Sequence, residues 1–406
     1  MTLVVQKFGG TSVADADRIR AVAEHVVRTR RRGQEVVVVV SAMGRTTDEL
    51  LELAHRISVE PPARELDMLI SAGERISMSL LCMAIVELGE PASSFTGSQA
   101  GIVTDTTHGK AKILEIRADR VRDAMAEGKI VVVAGFQGVS TDKEVTTLGR
   151  GASDLTAVAL ASELGAETCE IYTDVAGVYT ADPRIVPDAR RLKAVAYEEM
   201  LEMAATGGRV LATRSVEYAR NHGVALHVRS SFTWEPGTWV KKEDEVEKAI
   251  ISGVTHDTSE AKVTVVGVPD RPGIAARLFR ALADEAVNVD MIEQNVSVTG
   301  LADISFTFPK ADMAVATRVT EAVAGDMGAA RVAPDADIAR ISLIGAGMKT
   351  HPGVAATMFE TLAAEGLNIE MISTSPIRIS CVVRAGEVER GVRALHAAFE
   401  LENPGA

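Results

Sequence analysis

Residues 5–13, Val-Gln-Lys-Phe-Gly-Gly-Thr-Ser-Val, carry an apolar strand into a lysine, two adjacent glycines and two hydroxyls. The strand pattern Leu3–Phe8 precedes apolar residues at Ile19, Val22, Ala23, Val26 and Val27, a helical period. The glycines therefore stand where a strand gives way to a helix, a place that suits anions. Glycine permits positive φ and close backbone approach, a helix start offers unpaired N–H groups, and Lys7 adds a full charge. The same residues also read as an ordinary tight turn with Thr11 or Ser12 as N-cap, and a bare Gly-Gly pair does not separate the two.

Outward from that motif, 406 residues with 47% hydrophobic content suffice for two or three domains and a sizeable core. A formal charge of −13 argues against a nucleic-acid or membrane-surface partner, since polyanionic surfaces repel such a chain at long range. Cys82, Cys169 and Cys381 are odd in number, far apart and set in apolar runs, which fits reduced core thiols of a cytoplasmic protein. The N-terminus shows no charged region followed by an apolar run, and no apolar stretch reads as a membrane span.

From residue 1 to about 230, strands and helices alternate. Leu3–Phe8, Glu35–Ala42, Lys129–Ala134, Cys169–Thr173 and Val224–Arg229 are short β-branched runs separated by helical periodicity. This predicts an α/β fold, a mainly parallel sheet sandwiched by helices. Glu35–Ser41 lacks polar alternation and belongs at the sheet centre, buried on both faces. Between Phe232 and Lys248 the composition turns to Trp234, Pro236, Gly237, Trp239 and a charged run, the best domain boundary.

Beyond it the chain repeats itself. Lys262–Phe279 matches Arg340–Phe359, with two extra residues before the proline of the second copy. Pro272 aligns with Pro352, Gly273 with Gly353, Asn288 with Asn368 and Met291 with Met371. Each copy reads strand, Pro-Gly turn, amphipathic helix, then a strand opened by Asn-Val-Asp-Met-Ile or Asn-Ile-Glu-Met-Ile. Two small βαββαβ modules of ferredoxin-like form are predicted. The expected division is residues 1–245, then 249–336 with a leading strand, then 337–406.

Five separated stretches now bear on family: the opening motif, Ala72–Ser77, Phe95–Gly101, Thr147–Ala157 and Ile171–Arg184. With the repeat, they resemble the aspartate kinases, an amino-acid kinase domain followed by two ACT regulatory modules, and specifically the monofunctional, lysine- and threonine-regulated actinobacterial branch. The resemblance implies a transferase that moves the γ-phosphoryl group of ATP, with Mg²⁺, to the side-chain carboxylate of L-aspartate, the first step towards lysine, threonine and methionine. A reference pKa near ~3.9 leaves that carboxylate ionised at neutral pH, so no general base is needed. The obstacle is an anion approaching a polyanion, which alignment and placed cations overcome.

The residues implied by the resemblance follow. Lys7 and Asp154 are the catalytic pair. Thr47, Glu74, Arg150 and Ser153 bind aspartate, Arg150 through its carboxylate and Glu74 through its ammonium. Lys7, Gly9, Gly10, Thr173, Asp174, Tyr179, Asp182, Arg184, Arg209 and Val210 hold the nucleotide. Asp182-Pro183-Arg184 also reads as a turn with an Asx start. Asp270, Gly273, Asn288 and Gln294 are the implied contacts for amino-acid effectors, threonine or lysine, with ACT modules associating into a homo-oligomer. Ala152 replaces a glycine usual in relatives, which strains the backbone by roughly 1–3 kcal/mol if φ there is positive. Two other readings compete: an amino-acid sensor with weak catalysis, and a kinase of a modified aspartate.

Overall fold

The computed structural model describes residues 2–149, 151–208, 210–243, 250–296 and 300–403. The chain divides into two compact units. One comprises Met1–Val178, Arg191–Ala204 and Arg209–Glu247; the other comprises Tyr179–Arg190, Ala205–Gly208 and Lys248–Ala406. The stretch read as a boundary thus begins inside the first unit, where Trp239 lies on a sheet strand.

The first unit runs β1 (Leu3–Phe8), α1 (Ala16–Arg31), β2 (Glu35–Val40), α2 (Thr46–Ile57), α3 (Ala63–Ile70), α4 (Ala72–Glu87), β3 (Ala92–Phe95), β4 (Ile102–Thr104), β5 (Ile113–Ile116), α5 (Asp119–Ala126) and β6 (Ile130–Ala134). It continues through β7 (Gln137–Ser140), β8 (Val145–Thr147), α6 (Ser153–Leu164), β9 (Thr168–Thr173), β10 (Ala194–Ala196), α7 (Tyr197–Ala205), α8 (Thr213–His222), β11 (Leu226–Ser230) and β12 (Thr238–Lys241). One sheet has the order β10-β12-β11-β9-β1-β2-β6-β3. Neighbours from β11 to β3 are parallel, and β12 runs against β11.

Val36 to Val40 of β2 are all buried, as an unbroken apolar run at a sheet centre requires. Burying a valine side chain contributes roughly 1.5–3 kcal/mol, so this strand anchors the sheet. Helices α1 and α4 cover one face through Ile19, Val22, Val26, Leu81 and Ile85. Helix α6 covers β1, β2 and β9 from the other. The N-cap of α1 is Asp15, whose carboxylate accepts the Arg18 N–H at 2.9 Å, and not Thr11 or Ser12. Those two residues instead belong to a 3₁₀ turn, Gly10–Val13.

A second, smaller sheet, β5-β4-β7-β8, has no counterpart in the sequence reading. Its strands are three or four residues long, too short for alternation to register. Helices α3 and α4 follow each other so closely that Ala63–Glu87 forms a 25-residue stretch long and apolar enough to cross a membrane, by length and composition only. This differs from the expectation that no apolar stretch reads as a membrane span. Its apolar residues Met78, Leu81 and Ile85 pack under the sheet and Asp67 and Glu74 are buried on it, so it is part of this unit's core.

In the second unit the strands and helices are β13 (Gly253–Asp257), β14 (Glu260–Pro269), α9 (Ile274–Asp284), β15 (Ile292–Val296), β16 (Leu301–Pro309), α10 (Met313–Met327), β17 (Arg331–Asp335), β18 (Ile338–Ile344), α11 (Val354–Ala364), β19 (Met371–Ser375), β20 (Arg378–Arg384) and α12 (Val388–Ala398). Two antiparallel sheets result, β15-β16-β14-β17 and β13-β18-β20-β19. The first copy is complete as βαββαβ. The second differs from expectation: its edge beside β18 is taken by β13, with Thr255 opposite Ser342, so the leading strand belongs to the second module and not to the first. Among the described residues no strand follows α12, and the strand preceding the first copy fills that edge.

The repeat also pairs with itself. Lys262 and Arg340 are equivalent positions, as are Asp290 and Glu370, and each cation bridges the other copy's carboxylate: Lys262 to Glu370, Arg340 to Asp290. Met291 and Met371, equivalent again, share one apolar cluster with Ile338 and Val382.

Candidate active site

Parallel register sets the ends of β1, β2, β6 and β9 level, Phe8 lying beside Val40 and Tyr172. The segments leaving this edge bond to one another: Gly9 N–H to Tyr172 O at 3.2 Å, Ser41 N–H to Phe8 O at 3.1 Å, Gly44 N–H to Gly10 O at 3.0 Å and Gly135 N–H to Val40 O at 2.9 Å. Open α/β sheets bind ligands at this carboxyl edge.

Lys7 sits one residue before it. Strand alternation sends Val4 and Phe8 towards α1 and Lys7 towards α6, where its Nζ meets Asp154 Oδ1 at 2.6 Å. Both side chains are almost buried, at 12% and 9% exposure, so the pair is little screened by solvent. Asp154 lies in the first turn of α6, a helix whose residues 153–161 are all buried.

Neither glycine is needed for positive φ, and Gly10 is needed for space. Gly9 has φ −71°, and neither is in the left-handed region. A Cβ on Gly10 would stand 2.9 Å from Ala42 O and 3.1 Å from Gly44 O, and one on Gly9 would stand 3.5 Å from Lys7 Nζ. The lysine ammonium therefore lies beside bare backbone at Gly9, within van der Waals reach of where a Cβ would stand. Similarly, a Cβ on Gly135 would meet Ser153 Oγ at 2.7 Å, so Ser153 lies over that glycine.

Glu74 enters from the first turn of α4. One oxygen accepts the Ala42 N–H at 3.2 Å; the other, Oε2, is buried with no hydrogen-bond partner. Burial pushes its pKa up to about 7, with the Ala42 hydrogen bond opposing. The helix approaches closely because residue 73 is glycine, whose Cβ would fall 2.7 Å from that of Ala42. Thr47 stands half-buried in the first turn of α2. Ala152, at φ −77°, is unstrained, so the methyl feared from the sequence has no backbone cost.

Thr173 ends β9 in the same unit and Asp174 follows it, and Thr173 O accepts from Ser231 N–H at 2.9 Å. Tyr179, Asp182 and Arg184 fall in the second unit. There Arg184 binds Asp182 bidentately, its Nη2 2.6 Å from Oδ2, while the Asp182 carboxylate also accepts the Arg184 N–H, so the Asx turn is formed. Arg184 holds the Asp182 carboxyl below its usual range. Val210 is half-buried in the first unit, and Arg150 and Arg209 lie outside the described residues. In the second unit, Gly273 caps α9 at φ 95°, Asp270 N–H donates to Gly300 O at 3.0 Å, and Asn288 and Gln294 are exposed.

Three supports escaped the sequence reading. Ser12 Oγ donates to Ser231 Oγ at 2.8 Å, joining the opening motif to β11. Asp67 and Arg214 grip the approach to α6 from α3 and α8. The one local signal was Asp67 itself, a lone carboxylate in the apolar run Leu66–Ile70.

Known proteins resemble this chain in both sequence and fold. The amino acid kinase family matches residues 2–230, and the ACT domain matches 263–322 and 341–399. An aspartokinase of Mycolicibacterium smegmatis is 58% identical over 407 residues, covering 99% of this chain and 97% of that one. One of Corynebacterium glutamicum is 54% identical with the same coverage. The structure of E. coli aspartokinase III in complex with aspartate and ADP, an R-state, is similar at TM-score 0.84 and 26% identity, covering 98% of this chain and 99% of that one. Its T-state complex with lysine and aspartate gives TM-score 0.75 at the same identity and coverage.

Proposed function

The chain belongs to the amino acid kinase family and, within it, to the aspartokinases with two ACT modules, and on that footing we propose how its residues divide the transfer of the γ-phosphoryl group of ATP to the side-chain carboxylate of L-aspartate. An aspartate oxygen attacks the γ-phosphorus, the bond to the β,γ-bridging oxygen breaks, and its electron pair leaves with ADP. No proton moves, because the nucleophile is already ionised.

Lys7 supplies positive charge where negative charge accumulates on the transferring group, and Asp154 fixes the ammonium against the glycine backbone. Gly9 and Gly10 bring main chain to the phosphates, and Thr173, Asp174 and Val210, with Arg209, serve the rest of the nucleotide. Glu74 receives the substrate ammonium. Its orphaned oxygen and raised pKa describe a carboxylate without its counter-charge, and an ammonium is what both lack. Ser153 and Thr47 offer hydroxyls, and Arg150 pairs with the α-carboxylate. Among the described residues no group of three or more His, Cys, Asp or Glu is assembled for a metal, so Mg²⁺ would be carried by the nucleotide's phosphates and water, where it neutralises phosphate charge.

The observation that carries this reading is the buried Lys7–Asp154 pair beside two side-chain-free residues, with Glu74 unsatisfied on the same edge. It also weighs against the competing sensor with weak catalysis, since Lys7 and Asp154 are paired. The ACT modules bind threonine or lysine through Asp270, Gly273, Asn288 and Gln294 and associate into a homo-oligomer. A cytoplasmic site suits three cysteines that are all unpaired. A hydroxamate assay across aspartate, glutamate, N-acetylglutamate and β-substituted aspartates decides the substrate. Turnover is expected with aspartate and ATP; preference for another carboxylate overturns the assignment.

A further inference from the structure

We propose that Asp67, acting with Thr147, is a positioning residue for the amino-acid substrate: it fixes Thr147, at the end of β8 ahead of Ser153 and Asp154, against the helix pair that carries Glu74. This rests on the assignment above of Glu74, Ser153 and Asp154 to the reaction. Asp67 is 1% exposed. A buried carboxylate is costly unless its oxygens are satisfied, and here they are fully engaged. Oδ1 accepts the Thr147 hydroxyl at 2.5 Å, both oxygens accept the Gly109 N–H at 3.1 Å, and Oδ2 faces His108 Nδ1 at 2.7 Å. Each of these contacts joins α3 to a loop or to the end of β8.

The end of β8 needs such anchors. Gly149 and Gly151 adopt φ 99° and 75°, so the turn into α6 passes through the residue type with least intrinsic rigidity. Its direction is therefore set by what holds Thr147 and Leu148. Thr147 O accepts the Ala111 N–H at 2.9 Å, and Arg214 of α8 donates to Leu148 O at 2.6 Å and to Ala111 O at 3.1 Å. On the other side, Ser71 O, between α3 and α4, accepts from the Gln137 amide at 3.0 Å. One carboxylate thus links the segment bearing Glu74 to the segment bearing Ser153 and Asp154. Gly9 and Thr173 are tied instead through Tyr172 O and Ser231, with no part taken by Asp67.

Steady-state kinetics of Thr147→Val, Thr147→Ser, Asp67→Asn and Glu74→Gln test this. Misplacing one binding segment by about an ångström costs roughly 10- to 100-fold, so T147V and D67N are expected to raise KM for aspartate by that factor while KM for ATP stays within about twofold. T147S keeps the hydroxyl and is expected to behave as wild type. A merely structural role lowers the folded fraction, and so apparent kcat, without moving KM for aspartate; that result, or equal rises in both KM values, overturns the proposal. If D67N fails to fold, the T147V and T147S pair decides alone. An unchanged KM in E74Q would show the substrate assignment itself to be wrong, whereas a raised KM in E74Q with an unchanged one in T147V condemns only the positioning role.

Discussion

Replacing Glu74 by glutamine is expected to strengthen the fold and weaken the enzyme at once. The free protein buries this carboxyl with one oxygen unsatisfied and a pKa of about 7, against 4.5 for the unperturbed group. A carboxyl whose pKa is higher folded than unfolded binds more protons folded between those values. The fold therefore loses stability as pH rises from 4.5 to about 7. The shift corresponds to roughly 3 kcal/mol, fully expressed above the folded value. Glutamine cannot ionise, so at pH 8 E74Q recovers that amount, roughly 6–12 °C in the melting temperature of this unit, and at pH 4 it gains nothing. Substrate binding moves the other way. A hydrogen bond between charged partners contributes about 1.5–3 kcal/mol, so KM for aspartate rises roughly 10- to 150-fold in E74Q. In the wild type, KM for aspartate climbs as pH falls below about 7, since the ammonium must displace a proton, and in E74Q that dependence is flat. Melting curves at the two pH values and aspartate titrations at saturating ATP provide the readings. An E74Q protein no more stable at pH 8, with wild-type KM, would refute the reasoning.

Other outcomes follow from the same geometry. Lys7→Ala is expected to lower kcat by about 10²–10³-fold in a coupled ADP assay, as for loss of one preorganised donor, and near wild-type turnover would remove Lys7 from the chemistry. Gly10→Ala places a methyl 2.9 Å from Ala42 O, so a loss of about 1–3 kcal/mol in denaturant unfolding is expected together with a raised KM for ATP; no change in either would mean that this edge yields freely. Arg340→Met leaves Glu260 and Asp290 without their buried cation, for an expected loss of about 3–5 kcal/mol in the second unit's unfolding, whereas an unchanged midpoint would show the pair to be dispensable. Titrating threonine and lysine against initial rate is expected to show inhibition by at least one, relieved in Asn288→Ala without loss of basal rate. Indifference to both amino acids sinks the regulatory assignment.

Much of this was legible in the sequence because it is local. The valine run of β2 could only be a strand buried on both faces, the period of Ile19–Val27 could only be a helix seated on it, and the repeat declared two modules at once. Lys7 and its glycines announced themselves by adjacency. What required the tertiary structure is whatever joins residues far apart in the chain. Asp154 stands 147 positions from Lys7, and nothing local says that their side chains share a face. Gly10 reads from the sequence as freedom for positive φ or close approach to a ligand, but the crowding by Ala42 O that makes glycine necessary comes from another strand's loop. The placement of β13 beside β18 follows from which sheet edge lay open, a property of two assembled modules and of neither strand. Asp67 acquires its meaning only when Thr147 and Gly109 are brought to it. Periodicity records which side of an element is buried; the identity of the group that meets it there is fixed only when the chain closes on itself.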